Sequence, residues 1–588
     1  MCGINGITFR DEKIIKLMNN TLKHRGPDAL EYRLFPKLSL GHARLSIIDL
    51  TSAGNQPMIK FGYTIVFNGE IYNYLELKEE LIKKGYKFTT KTDTEVILAA
   101  YNLWGKNCLN KFNGMWAFAI YNDKEKELFL SRDRFGVKPL YYSTNNKNLA
   151  FSSEIKPLLK IGISRKPNEK IIASYLQYGL IDYNNETFFE NIYTLEPGHY
   201  AIWNFTNKKL TIKQYYELKN NKIEISETNA TTKIKEILED SIKLRFRSDV
   251  EVGCCLSGGL DSSTIVGVSD KLFHNSKLKT FSAVFPGSKI NEERYIDLVT
   301  KEKKVKNFKT KPKNTDLLKD IDDLIYCQEE PFGSTSIYAQ YRVMKLVKET
   351  GVKVLLDGQG ADELFIGYHS YFNSYIQQLL KDKKYAEIVT STLFWKYLLF
   401  YLKSNPRKIF NKIIKYKKSK IYNLDYPKIE MPKYIDDYAL LAMKTSLRSL
   451  LKWEDKDSMS FSIESRVPFL DYRLVESAFS LPYSYKIKNF QTKYIFRKAI
   501  NEYIPEEIID RKDKIGFATP ENDWFKSKEF TDFIEKIIES KSFKDRKYWN
   551  YIEVRKMVDQ KNKDYYRNIW KIINTELWLR TFIDPLTF

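Results

Sequence analysis

The chain has 588 residues, more than one hydrophobic core usually supports, so two or three domains are expected. With 43% hydrophobic and 14% aromatic residues it holds enough material for packed domains, which excludes a disordered chain. The formal net charge is +22, but the lysines are scattered among Asn, Ile and Tyr without zinc-finger spacing or an RNA-recognition signature; they read as a solvated surface, and no nucleic-acid partner is expected.

Five cysteines (Cys2, Cys108, Cys254, Cys255 and Cys327) include no C-x-x-C pair, so neither a zinc site nor a disulfide framework is indicated. A reducing, cytoplasmic location is expected, with no signal peptide. The most apolar stretch, STLFWKYLLFYL, is short and contains Lys396, which argues against a spanning helix.

The chain opens MCGINGITF. A methionine before a small residue is usually trimmed, which would place the thiol and a free α-amino group together on Cys2. An α-amino group has a pKa of about 8, so Cys2 would be a nucleophile carrying its own base. Residues 1–218 then read mainly as β-structure with a few helices. YTIVFNGEIYN and WAFAIYND are apolar runs between Gly- and Asn-containing turns, and DTEVILAAYNLWG has helical spacing behind a plausible cap. A layered sheet sandwich is expected.

Polar clusters interrupt these runs: LKHRGPD, GHARLSIIDL, VFNGEIYN and TKTDTEVI. A thiolate attacking a carboxamide needs donors for the oxyanion, which Asn68 and the Gly69 N–H can supply. A free amino acid needs a cation for its carboxylate and anions for its ammonium; Arg44, Glu70 and Asp93 are of those types. Taken singly, Asn68-Gly69 also reads as a hairpin turn and Arg44 as a surface charge.

The second domain is expected over 226–588. VEVGCCLSGGLDSSTIVGVSDKL combines a buried strand, a Ser-Gly-Gly turn and an amphipathic helix. Small residues admit a phosphate, and Ser262 and Ser263 lie at a helix N-terminus, where N–H groups attract anions. No lysine stands where a Walker A loop has one. Asp261 suits magnesium. VKVLLDGQGADELFIGY repeats strand, glycine turn and acidic residues; in a parallel sheet this second loop should face the first, making Asp362 a second magnesium ligand. FSIESRVPFLDYRLVE and QTKYIFRKAI follow in mainly helical sequence, where Lys493 can stabilise charge on a leaving pyrophosphate.

Cys-Gly-Ile, HRGPD, RLSIID, FNGEIYN and TDTE in this order resemble the class II glutamine amidotransferases, and SGGLDSS resembles the pyrophosphate loop of enzymes that cleave ATP to AMP. Together the chain resembles the glutamine-hydrolysing asparagine synthetases over nearly its whole length. The resemblance implies an αββα sandwich of the N-terminal-nucleophile type, followed by an α/β parallel-sheet adenylating domain with helical extensions. It implies that Cys2 releases ammonia from glutamine, that Asn68 and Gly69 line the oxyanion hole, and that Arg44, Leu45, Ser46, Ile47, Ile48, Asn68, Gly69, Glu70 and Asp93 hold the glutamine. Ammonia would pass through an internal tunnel to an acyl adenylate. ATP contacts would fall at Cys255, Leu256, Ser257, Gly258, Gly259, Asp261, Ser262, Ser263, Val284, Asp357 and Gly358. Asp261 and Asp362 would hold Mg2+, and Lys493 would be the catalytic lysine.

Many asparagine synthetases have a glutamate where this chain has Gln359. A neutral amide orients a substrate but takes no proton. The acceptor site, Gln359 and Glu363, thus leaves two acceptors open: aspartate as first expectation, or a uronic acid of surface polysaccharide. A nucleotide- or RNA-binding scaffold is a remote third reading, opposed by Cys2 and the glutamine motifs. A basic, aromatic-rich insert is expected at about 375–430; residues 381–420 hold twelve basic side chains against two acidic ones. That composition permits a helical pair touching anionic lipid or polymer, a solvated helical extension, or an element shaping access for a large acceptor. A homodimer is left open.

Overall fold

The structure is a computed structural model, describing residues 1–584 except 146, 275–276, 392–393, 396–420, 425–430, 512–515 and 562. Its first part is built on two six-stranded antiparallel sheets. One runs, edge to edge, through Tyr193–Thr194, Tyr141–Thr144, Leu149–Ser152, Gly3–Ile7, Leu38–Arg44 and Ala29–Phe35. The other runs through Lys209–Gln214, His199–Asn204, Glu127–Arg132, Gly114–Asn122, Tyr63–Ile71 and Met58–Lys60. Ile4, Leu40 and Phe151 from the first sheet meet Val66, Ala117 and Leu130 from the second in one buried layer. The helices Tyr74–Lys83 and Asp93–Trp104 cover the outer face of the second sheet, and Glu12–Thr21 packs on the first. This is the expected sandwich. The helix beginning at Asp93 starts where its Thr92 cap accepts a hydrogen bond from the Glu95 N–H, and Gly105 ends it.

From Glu227 the chain builds a five-stranded parallel sheet, ordered Lys306–Thr310, Lys279–Ala283, Val252–Cys255, Val354–Leu356, Glu464–Arg466. In chain order this is 3-2-1-4-5, so direction of winding reverses between Val252–Cys255 and Val354–Leu356. Ligands of open parallel sheets bind beyond the strand ends at such a reversal. The SGGLDSS loop and the Asp357–Gly360 loop leave the two strands at that point.

Two local expectations are corrected. Glu464–Arg466, read as part of a helical region, is the fifth strand, paired parallel with Val354–Leu356; three residues are too few for a period of two to show in sequence. Asn68 and Gly69 are inside the strand Tyr63–Ile71, opposite Ala117 and Trp116, and form no hairpin turn. Of the insert, Phe372–Lys381 and Tyr385–Thr390 are helical. Most of its basic stretch, with most of STLFWKYLLFYL, lies outside the described residues. Among the described residues no helix is long and apolar enough to cross a membrane.

Candidate active sites

Cys2 precedes the central strand Gly3–Ile7, which holds it rigidly between two neighbours of the first sheet. Its backbone N–H donates to Asn68 Oδ1 at 3.0 Å, and its thiol lies 3.9 Å from the Leu45 carbonyl. Burial pushes the Cys2 thiol above its ordinary value, so forming the thiolate requires a base close by. Asn68 is fully buried, and its Nδ2 makes no hydrogen bond. A buried donor left open beside a thiol is the arrangement an oxyanion needs. Gly69 has φ 153°, and a Cβ there would overlap the Met115 carbonyl, so only glycine lets the strand pass at this point.

The acidic residues converge. Asp93, at the first turn of its helix, accepts from the Ile71 N–H at 2.9 Å, and burial raises its carboxyl to about 7. Glu70 is likewise pushed well up, first by burial and then by Glu464 and Asp93. Arg44 is buried, and it donates to the Thr51 carbonyl at 2.6 Å and Asn55 Oδ1 at 2.8 Å, so it fixes the loop that follows it. Within that loop the Ser46 N–H donates to Asp28 at 2.8 Å. Leu45 and Ile47 pack with Val354 of the parallel sheet, while Ile48 is partly exposed.

Sequence reasoning missed the partners across the interface. Met1 is buried, and its ammonium lies 2.9 Å from Glu464. Arg466 bonds Glu464 at 2.6 Å and lies 3.6 Å from Glu70, while its carbonyl accepts from the Asp357 N–H at 2.9 Å. One three-residue strand therefore touches Met1 and Glu70 beside Cys2 and the loop at Asp357. Arg25, in the HRGPD motif but assigned no role there, donates to the Cys2 carbonyl (3.1 Å), Glu154 (3.0 Å) and Asp455 (2.9 Å).

At the reversal of the parallel sheet lies a cavity of about 770 Å3. Cys255, Leu256, Ser257, Gly259, Asp261, Ser262, Asp357 and Gly358 line it, together with Gln359, Asp362 and Lys493. Gly258, Ser263, Val284 and Glu363 do not. Gly258 has its carbonyl tied to Arg511 at 3.0 Å, and Ser263, Val284 and Glu363 are buried behind the lining. The helix Leu260–Phe273 begins inside this loop, so its N-terminal end lies at the cavity. The Ser257 N–H is held by Ser262 Oγ at 3.0 Å.

Lys493 is the centre of charge. Its Nζ stands 2.5 and 2.7 Å from the Asp261 oxygens and 2.6 Å from Asp362, although the residue is 2% exposed. A Cβ at Gly367 would overlap Asp362 and Lys493. Asp261 and Asp362 converge on one cation, and two carboxylates completed by phosphate oxygens and water suit Mg2+. In this structure the Lys493 ammonium occupies the point on which both carboxylates converge, so an ion held by them would share its charge with the lysine and offset that of a phosphate. Behind them, burial and then Asp362 raise Glu363 to about 7, and Tyr368 donates to it at 2.9 Å. Arg497 and Arg511 also line the cavity and were not anticipated; only the fold brings them there.

The pattern described as Asparagine synthase matches residues 233–580, more than half of the chain, and that described as Glutamine amidotransferase domain matches residues 1–216. The chain belongs to the asparagine synthase family. Glutamine-hydrolysing asparagine synthetase 1 of Bacillus subtilis strain 168 is 31% identical, covering 98% of this chain and 96% of that one. A putative glutamine-hydrolysing asparagine synthetase 2 of Methanocaldococcus jannaschii is 38% identical over 67% of this chain and 81% of its own length. Amidase chry2 of Gibberella zeae is 27% identical over 89% and 87%. The chain is an asparagine synthase-family enzyme with a glutamine amidotransferase domain, and the two domains imply glutamine and ATP as substrates. Relatives with different names match this chain over most of its length, so membership of the asparagine synthase family leaves the acceptor to be argued from the cavity.

Proposed function

We propose that the chain is a glutamine-dependent asparagine synthetase, with residues 1–218 as glutaminase and 226–588 as synthetase. Removal of Met1 frees the Cys2 amino group, which takes the thiol proton as the sulfur attacks the glutamine carboxamide. Asn68 Nδ2 and the Gly69 N–H receive the oxyanion, the ammonia leaves, and water releases glutamate. In the second cavity an aspartate β-carboxylate oxygen attacks the α-phosphorus of ATP, and pyrophosphate departs against Lys493 and the loop from Ser257 to Ser262. Ammonia then attacks the β-aspartyl-AMP carbonyl, expelling AMP and giving asparagine. The observation that carries this reading is Lys493 held between Asp261 and Asp362 at the sheet reversal, in a chain whose other half places an open amide donor beside Cys2.

A second reading, amidation of a uronic acid, is favoured by one feature. Gln359 brings an uncharged amide to a cavity whose wall includes Tyr368 and the exposed Phe517, rings on which a sugar can lie. The deciding experiment assays AMP and pyrophosphate formation, with glutamine and with ammonia, over aspartate, uronic acids and nucleotide-sugar uronates. Aspartate-dependent pyrophosphate release supports asparagine synthesis, and release with a uronate alone supports the second reading. ADP and phosphate as products would contradict both.

A further inference from the structure

Lys493 follows a hairpin in which Ile487 pairs with Thr492 and Lys488 with Gln491. The two residues at its tip, Asn489 and Phe490, both have positive φ, 50° and 63°. Such a turn accepts asparagine first but favours glycine second, because a side chain in the left-handed region crowds its own carbonyl. Phenylalanine in that place means that contacts outside the turn must hold it.

Those contacts come from the beginning of the basic insert. Glu387 Oε1 accepts from the Asn489 N–H at 2.8 Å, and Ser391 Oγ donates to the Asn489 carbonyl at 3.2 Å. Tyr375 donates its hydroxyl to the same Glu387 oxygen, fixing the carboxylate. The Phe490 ring is 2% exposed and lies 5.1 Å from Tyr375, 5.3 Å from Phe394 and 5.4 Å from Phe372. Both backbone polar groups of Asn489 and the ring of Phe490 are thereby gripped, while Phe490, Gln491, Thr492 and Lys493 line the cavity.

The cavity lining divides into strand ends with the Ser-Gly-Gly loop, which the proposed reaction gives to ATP, and a wall contributed from outside the sheet. Tyr368, Phe372 and the 490–492 segment belong to that wall, which remains for the acceptor. We propose that Glu387 is a positioning residue that sets acceptor recognition by clamping the Asn489–Phe490 turn, so that the helix Tyr385–Thr390 shapes the acceptor site from outside the cavity lining. The assignment of the wall rests on the adenylating reading of the cavity; the clamp itself does not.

The test compares Glu387→Ala with Glu387→Gln, which keeps an acceptor oxygen for the Asn489 N–H. In the full-length enzyme, ammonia-dependent pyrophosphate release is measured with the best carboxylate of the panel, beside glutaminase turnover and hydrogen exchange over 487–493. For Glu387→Ala the acceptor KM should rise about tenfold, as loss of one charged hydrogen-bond partner allows, with the ATP KM and glutaminase rate within about twofold of wild type. Exchange over 487–493 should quicken, and Glu387→Gln should restore most of both effects. An unchanged acceptor KM, or equal rises for acceptor and ATP, would overturn the specificity role. Unchanged exchange would overturn the clamp, whatever the substrate. If wild type releases pyrophosphate with no carboxylate, the adenylating reading and the specificity role built on it fall, and exchange alone decides the clamp.

Discussion

Lys493 Nζ lies 2.6 Å from Asp362 Oδ1, and it shares that position with Asp261 in a pocket too tight for a side chain at Gly367. Removing the ammonium leaves two facing carboxylates and no fixed cation for a departing pyrophosphate. Lys493→Met should lower ammonia-dependent pyrophosphate release by about a thousandfold, the scale of losing a preorganised charge, while glutaminase turnover stays near wild type. Lys493→Arg should not rescue it, because the planar guanidinium cannot occupy the space of a compact ammonium. Near-normal release from Lys493→Met would remove the lysine from the reaction.

In the glutaminase half, Cys2→Ala should abolish glutamine hydrolysis and Asn68→Ala should reduce it by about a hundred- to a thousandfold, the usual cost of one oxyanion donor. Both should retain ammonia-dependent synthesis, since Asn68 and Lys493 serve different steps. Chain that keeps Met1 should be nearly as inactive as Cys2→Ala, because a peptide nitrogen is no base. N-terminal mass analysis alongside glutamate release checks this, and full hydrolysis by unprocessed chain would refute the base assignment.

Asp93, raised by burial to about 7, is largely protonated below neutrality when no ligand is bound. A glutamine ammonium favours the ionised carboxylate, so binding must release that proton when pH is below 7. In the Cys2→Ala background, glutamine affinity should therefore strengthen as pH rises from about 5.5 to 7 and level off above it. Asp93→Asn should bind weakly and with a reduced slope, the remainder belonging to Glu70, whose carboxyl burial also raises. Titration calorimetry in two buffers of different ionisation enthalpy reads both affinity and proton release; an affinity that is flat with pH in Cys2→Ala would count against Asp93 as the ammonium's partner.

Gln359 lines the cavity at the sheet reversal beside Asp357 and Asp362. If aspartate is the acceptor, Gln359→Glu should be tolerated or improve its use. If the acceptor is a sugar acid, the new carboxylate faces the substrate's own charge at short range and KM should rise steeply. Paired KM values for aspartate and the best uronate, in wild type and variant, separate the two. Wild-type turnover of aspartate, unharmed by the substitution, would set the uronate reading aside.

The residues proposed to bear the chemistry were legible because each lies in a short contiguous motif. Cys2-Gly3-Ile4, Asn68-Gly69-Glu70 and the Ser257–Ser263 loop need particular residue types at fixed spacing, and spacing survives in one dimension. The sandwich and the parallel sheet were legible for a related reason: their longer strands and helices bury one face, and burial writes a period into the sequence. Glu464–Arg466 has no such period, and only pairing with Val354–Leu356 makes it a strand. Nor does any local signal tell that Lys493 is buried between two carboxylates, that Arg25 spans from Cys2 to Asp455, or that Glu387 grips a turn 102 residues away. Those relations join side chains far apart in the chain, where only the packing of the two domains and the reversal of strand order bring them within hydrogen-bond reach. The sequence thus determined which chemical groups are present and the elements that carry them. The tertiary structure decided which of them share a site, because distance, and with it desolvation and charge coupling, is a property of the folded chain alone.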